Sequence, residues 1–446
     1  MICTGFLNTA RSTAQAEGVA NIHIVEYPPP NISMQSHAEV QEYAANLIVK
    51  VIEALTREST NMSVSEAGSG GAEPKPKDIV FKGTYEEINR FFYESQWTDG
   101  LPIVPPTTEK VQEFLRYTDR SPDEALGTLP PGNREATVWT VAVNGVMAGC
   151  RPEYMPALIA VSEAVADPRF GMQFAGSTAG WSPVIIVNGP IIKQLDFNYG
   201  QGVMRSARQA NTTLSRFLRL FMLNVPRYVV GMDKAAFGQN IIVAIAENED
   251  DSPWESLSVS RGFKTGVSVV TVTSAEAVSD NFETFGTGEE QLKGLARQTA
   301  KVLGQVPFCL SSFFGPERSV VVALTPLVAR TIAKAGYSKS DVQQYLFKNV
   351  KIRAAEFDMF LPPGFFGGTA CGFVAAGKME KQFCESTDAD RMLPLVHSPK
   401  DYLIIITGDA ARNRNFVTLQ GGDQGFAVSK AIRLPVNWQS LIRATK

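Results

Sequence analysis

The chain has 446 residues, 44% hydrophobic and 20% charged, a size and composition that support two or three packed domains. A formal net charge of −3 and a pI near 5.8 argue against a nucleic-acid binder, because neutralising phosphates needs a basic surface. No apolar run approaches the roughly 18 residues needed to span a bilayer, and the first residues lack the continuous apolar core of a secretion signal.

In chain order, a short helix is predicted over Ala10–Glu17, ending at Gly18, and a strand over Ile22–Val25, stopped by Pro28–Pro30. Val40, Tyr43, Ala44, Leu47, Ile48, Val51, Ile52 and Leu55 recur at three- and four-residue steps, which predicts an amphipathic helix over Ser36–Leu55. One strand makes no sheet. This partial α/β layer, residues 1–56, is therefore expected to dock on the rest of the chain or to belong to a domain that begins upstream. Residues 57–77, rich in Ser, Gly, Glu, Lys and Pro, read as a flexible linker. Residues 78–446 read as a large α/β (or α+β) domain.

In that domain helices are predicted over Tyr85–Glu94 and Thr108–Tyr117, flanking an ordered Pro-rich loop from Trp97 to Thr107. Strands are expected over Val138–Val143, Ile241–Ala246 and Gly266–Thr273, and helices over Leu214–Leu223 and Ser340–Phe347, the last started by Ser338 or Ser340. A helix over Pro152–Ala166 leads to a strand over Val184–Val187 and then Asn188-Gly189-Pro190. A helix over Glu289–Leu303 leads to a strand over Val320–Leu324 and then Thr325-Pro326. Pro190 and Pro326 stand about 136 positions apart, as do Gly200 and Gly336, so repeats are expected near 150–200 and 286–336, with a weaker third copy over Tyr402–Asp409. Such lobes would leave a site between them.

The five cysteines form no CxxC pair, and an odd, scattered set fits the reduced thiols of a cytoplasmic protein better than a disulfide framework. The three histidines lack metal-ligand spacing. Cys150 stands just before Pro152, a first-turn residue, so a helix N-terminus and the neighbouring Arg151 would stabilise a thiolate there. The plain alternative is a small buried residue. Asp99, in the Asp-Gly turn before Leu101-Pro102, either caps that turn or projects into a cleft. Asn188 and Gly189 end a buried strand, where α/β proteins place ligands. Arg205, Arg208, Asn211 and Arg216 surround a helix start and would hold a carboxylate or phosphate. Glu247, Glu249, Asp250 and Asp251 follow a strand and are either a cation or acid/base site or a solvated acidic turn. Gly364, Gly367, Gly368, Cys371 and Gly372 mark a close-packed or mobile loop, with only unspecific backbone approach to a ligand.

The stretches Trp97–Thr107, Val141–Tyr154, Ile186–Pro190 and Ala246–Trp254 resemble the large domain of UGSC-type proteins, a family named for a selenocysteine/cysteine-Gly-Ser-Cys motif. Residues Cys3-Thr4 through His23 to Thr56 look like the trailing half of that family's smaller domain. The resemblance implies redox chemistry. The motif itself does not occur here and would lie upstream, so no family active residue carries over.

Three readings follow. The first is a thiol-dependent enzyme on a small acidic molecule, with Cys150 as nucleophile or redox centre and Arg151 lowering its pKa. The second is a metal-assisted lyase or hydrolase using Glu247, Glu249 and Asp251. The third is a non-catalytic subunit, assembling with itself or with a partner that supplies a missing N-terminal half. The sequence names no cofactor.

Overall fold

A computed structural model of the chain describes residues 1–16, 21–29, 35–57, 75–176, 180–206, 208–229, 242–279, 282–305, 317–361, 366–420 and 425–444. The expected linker lies almost wholly outside these residues, as do Gly364, Cys309 and the Ser311–Pro316 loop.

The N-terminal unit does contain a strand pair. Ile2–Cys3 runs parallel to Glu26–Tyr27, with the helix Leu7–Ala16 crossing between them. The strand expected at Ile22–Val25 is not formed there; the paired residues are Glu26–Tyr27, and Val25 and Tyr27 bury against Leu47. Leu47 belongs to the helix His37–Thr56, which Ser36 starts by a capping box with Glu39. Ile48, Val49, Ile52 and Leu55 of that helix are exposed.

The large domain is built on two four-stranded mixed sheets, among helices, as an α/β chain requires. In the first, Ser182–Asn188 pairs parallel with Val243–Ala246 and antiparallel with Val269–Ala275, which pairs antiparallel with Val428–Ala431. In the second, Val320–Leu324 pairs parallel with Tyr402–Ile406 and antiparallel with Asn415–Leu419, which pairs antiparallel with Ala277–Val278. The two sheets thus repeat one topology, each central strand preceded by a helix, Met155–Ala166 or Gly288–Leu303. Each half sends its last short strand to the other half's sheet. Tyr402–Ile406 is therefore no third copy. It is the counterpart of Val243–Ala246.

The sheets stack face to face. Val184, Ile186 and Ile245 meet Val321, Ala323, Leu403 and Ile405 in one apolar layer. The alternate residues Ile185 and Val187 face the helices Val138–Met147, Met155–Ala166 and Gln209–Asn224. Val320, Val322 and Leu324 face Gly288–Leu303, Pro326–Lys334 and Lys339–Asn349. Both faces of every central strand are covered, which is why these strands read as unbroken apolar runs.

Another expectation is overturned. Val138–Met147 is a helix, started by Thr137, whose side chain accepts from the Thr140 N–H. Eight of its residues are buried, so it shows no amphipathic period, and its β-branched run imitates a strand.

Candidate functional site

Both parallel strand pairs end at one place, where the sheets are tied together. The Asn248 N–H donates to Ile406 O at 2.7 Å, and Thr407 Oγ1 donates to Ala246 O at 2.8 Å. Asn188 and Glu247 follow the last residues of the first sheet's parallel pairing, Val187 and Ala246, as Thr325 and Thr407 follow Leu324 and Ile406 in the second. Only the first half carries an acid here.

Glu247 is 1% exposed. Its Oε2 accepts from Asn188 Nδ2 at 2.6 Å and from the Leu257 N–H at 2.8 Å, and its Oε1 accepts from the Ile406 N–H at 3.3 Å. Burial pushes this carboxyl above the ordinary carboxylate range, against the pull of the Lys339 ammonium and these donors. Lys339, equally buried, is pushed down by the same desolvation, with Glu247 and Glu255 opposing, and its Nζ donates to Glu255 O at 2.9 Å.

The acidic residues that follow are held by donors of their own. Glu249 Oε1 accepts from Asn188 Nδ2 at 3.0 Å and the Gly189 N–H at 2.8 Å. Asp250 takes Lys193 Nζ at 2.6 Å and Tyr199 OH at 3.1 Å. Asp251 takes Asn248 Nδ2 at 2.9 Å and Arg330 at 3.4 Å. The structure thus brings Asn188, Gly189, Glu247 and Glu249 together. The metal-holding arrangement expected of Glu247, Glu249 and Asp251 is not formed, and no group of three or more metal-ligating side chains gathers among the described residues. Gly189 has a backbone reason to be glycine. Its φ is +86°, and a Cβ there would stand 2.5 Å from Val267 O.

The residues expected around Cys150 are also neighbours, in another role. Arg216, on the helix Gln209–Asn224, grips Asp99 through Nε at 3.1 Å and Nη2 at 3.0 Å, and donates to Pro102 O at 2.7 Å. Arg219 adds a contact to Asp99 at 3.5 Å. Asp99 is therefore the anchor of the Trp97–Thr107 loop rather than an acid in a cleft, and Arg216 is already neutralised. Asn211 is buried, accepting from the Asn198 N–H at 2.8 Å and donating to Ala244 O at 3.1 Å. Arg208 pairs with Asp196 at 2.7 Å, and Arg205 is exposed. These residues do not converge on an anion.

Cys150 is 8% exposed, and its thiol donates to Thr213 O at 3.4 Å. Burial pushes the thiol up to about 12, with the Thr213 contact and the Arg216 charge only partly opposing. The neighbouring Arg151 pairs instead with buried Glu153, at the start of the short 3-10 turn Pro152–Tyr154. The expected lowering is reversed because desolvation outweighs both the helix start and a cation that turns away. In the folded protein Cys150 is expected to alkylate with iodoacetamide at pH 7.5 more than about a hundredfold slower than a peptide thiol. Peptide mass spectrometry over time checks this, and a peptide-like rate would restore the thiolate reading.

Thiol chemistry has another location. Cys371 and Cys384 form a disulfide, with Cα atoms 4.9 Å apart, which corrects the expectation of unpaired thiols. Cys371 lies in the helix Ala370–Ala375 and Cys384 in the turn Lys381–Cys384, packed on Phe357 and Leu393 of the second half. Both are partly exposed. Arg391 Nη2 reaches Cys371 Sγ at 3.3 Å, while Nη1 donates to Asp388 O at 2.8 Å. No carboxylate lies within ion-pair distance of Arg391 among the described residues. A thirteen-residue spacing is not a redox signature, so only the fold reveals this pair.

None of the protein-family models, curated proteins or solved structures compared with this chain matches it. No helix among the described residues is long and apolar enough to cross a membrane.

Proposed function

We propose that this chain is a thiol–disulfide oxidoreductase whose working pair is Cys371 and Cys384. The observation that carries the reading is a guanidinium, free of any carboxylate among the described residues, in contact with one sulfur of a partly exposed disulfide. Once the bond is reduced, that charge favours the Cys371 thiolate over the thiol. The UGSC-type resemblance implies redox chemistry too, but at a motif with no counterpart in this sequence.

The step balances with a partner disulfide as oxidant. The Cys371 thiolate attacks one partner sulfur, forming a mixed disulfide and releasing a partner thiolate. Cys384 then loses its proton and attacks Cys371 Sγ, which closes the internal disulfide and releases the second partner thiolate. Two electrons pass from the cysteine pair to the partner, and the reverse sequence oxidises a partner dithiol.

The test uses reduced full-length protein and oxidised glutathione. Cys384→Ser is expected to trap a mixed disulfide on Cys371, detected by peptide mass. Cys371 in that variant is expected to alkylate about five- to tenfold faster than a peptide thiol at pH 6.5, because a larger thiolate fraction outweighs its lower nucleophilicity. Arg391→Met removes that advantage, and Arg391→Lys restores part of it. A disulfide that resists millimolar dithiothreitol in the native protein, or cysteines reacting at peptide rates, would leave this bond a structural cross-link.

A further inference from the structure

A different cation has no carboxylate partner among the described residues. Arg216, Arg208, Arg151 and Arg120 each meet a carboxylate. Arg261 does not. It follows the short helix Leu257–Ser260 and lies against the edge strand Val428–Ala431 of the first sheet. Its Nε donates to Ser429 Oγ at 2.6 Å and its Nη2 to Ala427 O at 2.7 Å, both neutral acceptors. Ser429 Oγ is in turn 2.8 Å from Thr271 Oγ1. These bonds fix the plane of the guanidinium and leave Nη1 without a partner among the described residues. The residue is only half-buried, so that edge is within reach of solvent.

Arg169 is tied to the same stretch. The Phe426 N–H donates to Arg169 O at 2.9 Å, one residue from the carbonyl that holds Arg261. Gly425 permits this approach, since a Cβ there would overlap Phe170 O. Arg169 has one carboxylate, Glu317, at 3.3 Å, and both side chains of that pair are exposed. Burial, and after it the Arg169 charge, act against the ionised form of Arg261, with Glu317 opposing. Arg318, one residue beyond Glu317, is 6% exposed and has a buried Nη1 with no hydrogen-bond partner. Among the described residues Glu317 is the acid shared by Arg169 and Arg261, and it offsets only part of their charge. A partly desolvated guanidinium with a free, solvent-facing donor gains from an anion that completes it.

We infer that Arg261 and Arg169 form a binding site for a small oxyanion, a carboxylate or phosphate group. Nη1 of Arg261 supplies the charge-assisted donor, and the Arg169 guanidinium exchanges its exposed Glu317 contact for the ligand. The Ser429–Thr271 pair keeps the Arg261 fork in place. The site stands apart from the cysteine pair and does not depend on it.

Isothermal titration of full-length protein, its disulfide left oxidised, tests this with inorganic phosphate and with succinate at constant ionic strength. Saturable binding of at least one anion is expected. Arg261→Met, which keeps most of the stem, should weaken it tenfold or more, the scale of a charge-assisted bond. Arg261→Lys should retain part of it, which separates loss of the donor from loss of the fold, and Arg169→Met should weaken it several-fold. Preference for phosphate or for succinate assigns the ligand's head group. The inference is overturned if neither anion binds beyond the effect of added chloride, or if Arg261→Met binds as tightly as the unaltered protein while circular dichroism shows it folded.

Discussion

Replacing Asp99 by alanine is expected to remove about 3–5 kcal/mol of stability, as breaking a buried ion pair from one side does. The Asp99 side chain is 2% exposed and faces two guanidinium groups from one helix, Arg216 and Arg219. Alanine would leave both cations partly buried without their acid. The effect should be local first. Arg216 also holds Pro102 O, so the segment after Trp97 would lose its tie to the helix Gln209–Asn224. Trp97 packs edge-on against Phe91 and Phe92, with ring centroids 5.7 and 5.4 Å away. Its fluorescence should therefore report the release, and limited proteolysis should open the loop. Asp99→Asn keeps the shape and loses the charge, so it should cost less, about 2 kcal/mol. Pairing Asp99→Ala with Arg216→Met should cost less than the sum of the two. Urea unfolding of the four proteins gives the coupling. Strict additivity would show that the clamp carries no energy of its own.

What the sequence disclosed follows the range of the interactions involved. Helix Gly288–Leu303 was legible because its signals are local: Thr287 caps it, Glu290 returns the bond, and the apolar face repeats. Strand Val320–Leu324 was legible as a covered apolar run between breaks. Val138–Met147 was not, because total burial erases periodicity. The exchange of edge strands was hidden too, since Ala277–Val278 is two residues long and carries no pattern. At the site, Asn188, Gly189, Glu247 and Glu249 were each marked by their position after a strand. That Glu247 accepts from Ile406, 159 positions away, is tertiary information. The same is true of Cys150, whose local signals favour a thiolate while distant helices desolvate it. Arg261 has no local signature at all. Only the return of the edge strand shows that its partners are neutral.

Glu247→Leu is expected to destabilise the protein by about 3–5 kcal/mol, because it strands three donors and a cation at once. Asn188 Nδ2, the Leu257 N–H and the Ile406 N–H come from both sheets and the helix after them, so their loss loosens the junction rather than one element. Glu247→Gln keeps one acceptor oxygen and should cost about 1–2 kcal/mol. The two variants should also differ in pH dependence. Burial raises the folded pKa of Glu247, so the folded chain binds this proton more tightly than the unfolded chain. Its contribution is greatest below the ordinary carboxylate pKa near 4.3, and it is lost as pH rises through the raised folded value. Glu247→Gln lacks that proton and should show a flatter fall over the same window. Lys339 acts at the other end. Its folded pKa is lowered, so it favours unfolding below that value and ceases to do so as pH approaches about 10.4. Removing both charges in Glu247→Leu with Lys339→Met should recover part of the loss, since neither ion is then buried alone. Urea midpoints between pH 4 and 9 separate these cases. A Glu247→Leu cost under about 1 kcal/mol would mean that water reaches the three donors and that the junction does not depend on this carboxyl.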